Sequence, residues 1–117
     1  MSKTNFQCPV EFTTRVLGGK WKPRLIWLLV HQKTLRFSEL RKGCPPISDR
    51  ILTKELKELE AMRLISRKEY PVVPKKTEYE LTELGLTLVP LMQSMADWGL
   101  KHNEMVPTST PAASSEV

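Results

Sequence analysis

Long hydrophobic runs are missing from this chain. No stretch approaches the ~18–20 apolar residues that cross a membrane, and Met1-Ser2-Lys3-Thr4-Asn5-Phe6 carries no apolar core of a secretory signal. Cysteine is scarce as well: Cys8 and Cys44 are the only two, too few for a disulfide-stapled secreted scaffold. Reduced thiols in a cytoplasmic setting are therefore expected. There is no Gly-rich phosphate loop and no local signature of a catalytic triad or acid/base pair, which argues against an enzyme. Cys8, Cys44, His31 and His102 lack the short spacing of a metal site. No metal, no cofactor and no membrane partner is expected.

What is present is positive charge, and it is segregated. The chain of 117 residues, 40% of them hydrophobic, has the length of one domain with a single modest core. Its formal charge is +5. Residues 33–76 hold twelve Lys/Arg against six Asp/Glu, and the rest holds six against seven. A solvated surface can also be basic, but concentrating all the excess in one segment is the footprint of phosphate neutralisation.

Read along the chain, Cys8-Pro9 opens a first helix to about Leu17, with Val10, Phe12, Val16 and Leu17 apolar and Gly18-Gly19 as its stop. A second helix runs from Trp21 to about Gln32, with Pro23 tolerated in its first turn and Leu25, Leu28 and Leu29 on one face. Leu35-Arg36-Phe37 fits a short strand. Ser38 is expected to cap a third helix, Glu39 to Lys42, closed by Gly43.

The fourth helix, about Ser48 to Met62, divides its surface in two. Ser48 is a good N-cap, and Ile47 and Leu52 have the spacing of a hydrophobic staple. Leu52, Leu56 and Leu59 share an inward stripe, while Arg50, Thr53, Lys54 and Lys57 share one pointing out. An ordinary surface helix can look like this. Its setting makes the difference, because two strands follow, Leu64 to Tyr70 and Thr77 to Leu81, joined through Pro71-Val72-Val73-Pro74-Lys75-Lys76. Helix, tight turn, helix and basic hairpin is the layout of a winged helix-turn-helix, which lays one helix in a DNA groove. The fold class expected is mostly α with a small β-hairpin wing (α+β). Candidate DNA contacts are Ser38, Arg41 and Lys42 near the backbone, Ser48, Asp49, Arg50, Thr53, Lys54 and Lys57 at the groove, and Lys75 and Lys76 on the wing.

Thr82 caps a final helix whose Leu84, Leu88, Leu91, Met95 and Trp98 recur at steps of four and three, a coiled-coil-like seam that Pro90 should kink. Paired with the first helix, this seam is a candidate dimer interface through Val10, Phe12, Leu88, Leu91, Met95 and Trp98. The organisation expected is a lead over 1–7, one domain over 8–103, and a disordered tail over 104–117 that turns Thr-, Ser-, Pro- and Ala-rich from Pro107.

These residues resemble the HxlR-type winged-helix regulators, a branch related to the MarR group, over roughly Cys8 to Lys101. The resemblance rests on Cys8-Pro9, Gly18-Gly19-Lys20-Trp21, Arg36-Phe37-Ser38-Glu39-Leu40, Ile47-Ser48-Asp49-Arg50-Ile51-Leu52-Thr53, Leu56-Lys57-Glu58-Leu59-Glu60, Tyr79-Glu80-Leu81-Thr82-Glu83-Leu84-Gly85 and Asp97-Trp98-Gly99. It implies a cytoplasmic homodimer that binds double-stranded DNA at a pseudo-palindromic operator, usually as a repressor and sometimes as an activator. Where the family commonly has glycine before the second strand, this chain has Arg63.

The resemblance also implies that a cysteine just before the first helix senses oxidants or electrophiles, which points to Cys8. Beside it stands a physical argument: as N-cap before Pro9, the Cys8 sulfur sits at the positive end of the helix dipole, which favours thiolate. Cys44, in the turn before the fourth helix, is the second redox candidate, either as a disulfide partner of Cys8 or as turn packing. The function expected is thus a DNA-binding regulator with a thiol switch. Its rivals are a regulator controlled by a ligand or by abundance alone, a winged-helix protein adaptor, and a thiol enzyme without a named base.

Overall fold

The computed structural model describes residues 8–108. Its elements in chain order are α1 (Pro9–Val16), α2 (Lys22–His31), β1 (Leu35–Arg36), α3 (Phe37–Lys42), α4 (Asp49–Ala61), β2 (Ile65–Tyr70), β3 (Lys76–Leu81), α5 (Glu83–Leu86) and α6 (Val89–His102). The three strands form one antiparallel sheet in the order β1-β3-β2, with Leu35 opposite Tyr79 and Ile65 opposite Leu81. This is the expected α+β winged helix-turn-helix, with β2 and β3 as the wing.

One core organises it. Leu25, Ile26 and Leu29 of α2, Leu40 of α3, and Leu52, Leu56 and Leu59 of α4 meet Leu35, Ile65, Tyr79 and Leu81 of the sheet and Met92 of α6. Each large side chain removed from water here contributes about 1.5–3 kcal/mol. The stripe of α4 read from its spacing is therefore the stripe it buries, and that burial fixes which residues face out.

Local expectations fail at two places, each for a physical reason. Ser38 is not an N-cap: α3 begins earlier, at Phe37, because the Glu39 carboxylate accepts the Arg36 backbone N–H at 2.8 Å and closes the first turn. Ser38 lies exposed inside that turn. The final helix is two helices, since α5 ends at Leu86 and α6 restarts at Val89. Pro90 then sits in the first turn of α6, where its missing N–H costs nothing, so no kink arises. After α1 the chain turns as expected at the Gly18-Gly19 pair, with Gly19 taking the left-handed conformation at φ 86°. Of the expected tail, residues 104–108 are turn and irregular chain; 109–117, like the 1–7 lead, lie outside the described residues.

The end of α4 is joined to the wing and α5 by a compact knot. Arg63 takes φ 63°. Its N–H donates to the Glu60 carbonyl at 2.9 Å, and the Leu64 N–H reaches the Leu59 carbonyl at 3.1 Å, the hydrogen-bond pair of a Schellman termination. Thr82 then ties in from the far end of β3. Its hydroxyl donates to the Arg63 carbonyl at 2.7 Å and its N–H to the Leu64 carbonyl at 3.0 Å. The same hydroxyl accepts the Gly85 N–H at 3.0 Å, capping α5. Gly85 fits because it lacks a Cβ, which would lie 2.1 Å from the Leu64 oxygen.

Candidate nucleic-acid interface

Ser48 starts α4 as expected. It is extended, and its hydroxyl accepts the Ile51 N–H at 3.2 Å, while Ile47 before it and Leu52 after it both enter the core. This cap fixes the angle at which the helix leaves the turn, and so the direction in which its outer face points. Arg50, Thr53, Lys54 and Lys57 are all exposed on that face. Among the described residues, neither Arg50 nor Lys57 has a carboxylate partner. Both charges are presented free to solvent, as contacts to phosphates and base edges require.

The other candidates divide between presentation and bracing. Arg41 Nη1 holds Asp49 Oδ1 at 2.8 Å, tying the last turn of α3 to the first of α4. In this geometry Asp49 braces the helix-turn-helix rather than facing a base. Ser38 and Lys42 are exposed on α3. Behind the turn, Arg24 of α2 donates from Nε to the Gly43 carbonyl at 2.9 Å, a support not anticipated from the sequence.

On the wing the lysines are engaged. Lys75 Nζ is 3.3 Å from Glu69, and Lys76 Nζ is 3.6 Å from Glu78 and lies over the Tyr70 ring at 4.6 Å. The Tyr70 hydroxyl donates to Glu78 at 2.8 Å, which raises the Tyr70 pKa and lowers that of Glu78. The apex of the hairpin is Pro71-Val72-Val73-Pro74, apolar and exposed, with the basic residues following it. Between α4 and the wing opens a cleft of about 510 Å³ in which Thr53 and Lys57 face Arg67 and Thr77. It brings the helix and the wing into one surface.

A second feature missed in the sequence is Lys22. It is a buried lysine on α2, and its ammonium hydrogen-bonds Glu55 Oε1 at 2.7 Å and also Glu58 Oε1 on α4. Lys54 approaches the same carboxylates from outside, 3.2 Å from Glu58 Oε2 and 3.8 Å from Glu55 Oε2. Burial works against the Lys22 charge, but its hydrogen bonds to Glu55 and Glu58 outweigh this and hold its pKa above the ordinary lysine value. Glu58, hydrogen-bonded by Lys22 and then Lys54, is held below the usual carboxylate range. The one available clue was the placement of two acids at i and i+3 flanking the apolar stripe of α4.

The two cysteines have opposite environments. Cys8 is exposed and is the N-cap of α1, before Pro9, but its sulfur accepts no hydrogen bond from the first turn. Cys44 is fully buried beneath the turn, and burial pushes its thiol pKa up against a smaller pull from Arg24. Of the six residues expected at a dimer interface, Val10, Phe12, Leu91, Met95 and Trp98 are exposed along α1 and α6, whereas Leu88 packs in part against the core.

With this geometry in view, comparison with known proteins is decisive at one point: the model of the HxlR-like helix-turn-helix family matches residues 16–107. The chain belongs to that family. The HTH-type transcriptional regulator YybR of Bacillus subtilis (strain 168) is 46% identical over 99 residues, spanning 85% of this chain and 78% of that protein. YdeP of the same organism is 45% identical over 109 residues, 93% of this chain and 84% of its own. Among solved structures, the redox regulator HypR in its reduced form matches with a TM-score of 0.78 at 46% identity, over 82% of this chain and 94% of that one. The reduced form of the transcriptional regulator YodB from B. subtilis matches with 0.68 at 35% identity, over 80% and 92%. This HxlR-like chain is a DNA-binding transcriptional regulator, MarR-related in fold, and not an enzyme. No helix among the described residues is long and apolar enough to cross a membrane.

Proposed function

We propose that the chain acts in the cytoplasm as a homodimeric repressor at a pseudo-palindromic operator, and that oxidation or alkylation of Cys8 changes its DNA affinity. The observation that carries the switch is the position of Cys8. Its thiol is open to reagents at the start of α1, the helix that with α6 exposes the apolar face available for a second subunit. Chemistry there acts on the subunit pairing, and subunit pairing sets the spacing of the two α4 helices on successive half-sites. The likeness to the redox regulator HypR, solved in reduced and oxidised forms, supports the same reading. Arg50, Thr53, Lys54 and Lys57 then make contacts at the groove, Arg50 to base edges and the two lysines to the phosphates that line it, with Arg41, Lys42, Lys75 and Lys76 serving the backbone further out. Cys44 becomes a partner for Cys8 only when the turn above it opens.

The test is binding to a duplex carrying the DNA upstream of the chain's own coding sequence, with protein reduced, treated with diamide, and reduced again. Affinity should change and then recover, and a Cys8→Ser variant should bind but not respond. A Cys8→Ser variant that responds like the parent would overturn the assignment. That result would move the switch to Cys44, whereas a parent whose binding ignores diamide would favour a second reading, which rests on the apolar cavity of about 510 Å³ that Val16, Met62, Leu64, Leu84 and Leu88 help to line. A hydrophobic effector bound there would lie against the knot at the end of α4.

A further inference from the structure

Four charges are stacked across the inner edge of α4. Lys22 takes Oε1 of both Glu55 and Glu58, and Lys54 takes Oε2 of both. The two lysines differ sharply in access: the Lys22 side chain is 11% exposed and that of Lys54 63%. Lys22 cannot swing out to a phosphate, because it is enclosed between α2 and α4 and its donors are committed to the carboxylates. Lys54 can. The carboxylates are thus shared between an inner cation that stays and an outer cation that is free to leave.

We propose that Lys22 is a positioning residue for DNA binding: it neutralises Glu55 and Glu58 from behind and thereby releases Lys54 to the DNA backbone. The inference rests on α4 facing DNA. With Lys22 in place the four charges sum to zero, and Lys54 can exchange its carboxylates for a phosphate without stranding two anions beside the duplex. With Lys22 neutral, two carboxylates share the single Lys54. Glu55, only 13% exposed, has no other cation within ion-pair distance among the described residues. Lys54 is then drawn inward, and any departure toward DNA leaves two uncompensated negative charges facing phosphates. One buried side chain on α2 thus sets the net charge of the α4 edge offered to DNA.

The test uses the full chain and a fluorescein-labelled mixed-sequence duplex, with affinity measured by anisotropy across a salt series. Each phosphate ion pair contributes about 0.9 to the slope of log K against log salt. Lys22→Met should lower affinity about 5- to 10-fold at low salt and flatten the slope by about one unit per subunit. Adding Glu58→Gln to Lys22→Met restores a neutral cluster and should recover both affinity and slope, which a purely structural role for Lys22 would not allow. Glu58→Gln alone, at a half-exposed site that does not threaten folding, leaves a net positive cluster and should bind more tightly with a steeper slope. Lys22→Arg should behave like the parent. An unchanged slope in Lys22→Met, a double variant no better than Lys22→Met, or a Glu58→Gln variant indistinguishable from the parent overturns the proposal. Absence of salt-dependent binding by the parent instead overturns the placement of α4 on DNA.

Discussion

Arg63 is held at φ 63° by the hydrogen bonds that close α4, and replacing it with glycine should stabilise the protein. A left-handed conformation costs an L-residue about 1–2 kcal/mol relative to glycine, through contact of Cβ with its own backbone. Glycine gives back about 0.4–1 kcal/mol, because its unfolded chain has more freedom to lose. The side chain takes nothing with it, since Arg63 is exposed and has no carboxylate partner among the described residues. The net expectation is a gain of about 0.5–1 kcal/mol, or about 2–6 °C in melting temperature for a domain of this size. Urea unfolding at fixed protein concentration, with an unchanged m-value, is the cleanest measurement. Two controls separate strain from charge. Arg63→Ala removes the guanidinium but keeps Cβ, so it should gain nothing; Arg63→Asn should fall between, because Asn visits this region more readily. If Arg63→Gly proves no more stable than the parent, or Arg63→Ala gains as much, the strain argument is wrong.

Three further outcomes follow from the geometry. Arg50→Ala should cost about 1–3 kcal/mol on the operator and relax sequence preference, whereas Lys57→Ala should weaken binding alike on all sequences and flatten its salt dependence; uniform losses from both, with slopes unchanged, would contradict these roles. Gly85→Ala forces a Cβ to within 2.1 Å of the Leu64 oxygen, and the backbone shift should cost about 1–3 kcal/mol in a denaturant titration; a neutral result would mean that α5 is free to move away. Iodoacetamide followed by mass spectrometry should label Cys8 rapidly in the native protein and Cys44 only after unfolding, and equal native rates would refute the burial of Cys44.

Where structure is decided by neighbours in the chain, it was readable. Ser48, Ile47 and Leu52 carry the start of α4 within a single turn, and the spacing of Leu52, Leu56 and Leu59 needs only a core to face. Arg63, too, stands out in the sequence alone, as a departure from the glycine common at its position. Where alternatives use the same residues, sequence could not choose between them. Pro90 is as compatible with a kinked helix as with the first turn of a new one, and Ser38 lost the cap to a carboxylate one residue on. The contacts of Lys22 span 33 and 36 residues, so no local pattern records them. The partners of the wing lysines are equally hidden, because Glu69, Glu78 and Tyr70 meet Lys75 and Lys76 only once the strands are in register.

The knot at Arg63, Leu64, Thr82 and Gly85 makes one mechanical part of elements that are otherwise separate. The C-terminal end of the reading helix, the root of the wing and the first turn of α5 share a few hydrogen bonds, so none can tilt without dragging the others. The turn at Thr87–Leu88 is where α6 departs from this block. In the dimer proposed above, each such block would act as one jaw of a pair of callipers: an adjustment made between the long helices of the two subunits would move both jaws as wholes, changing the distance between them while leaving each jaw's shape intact.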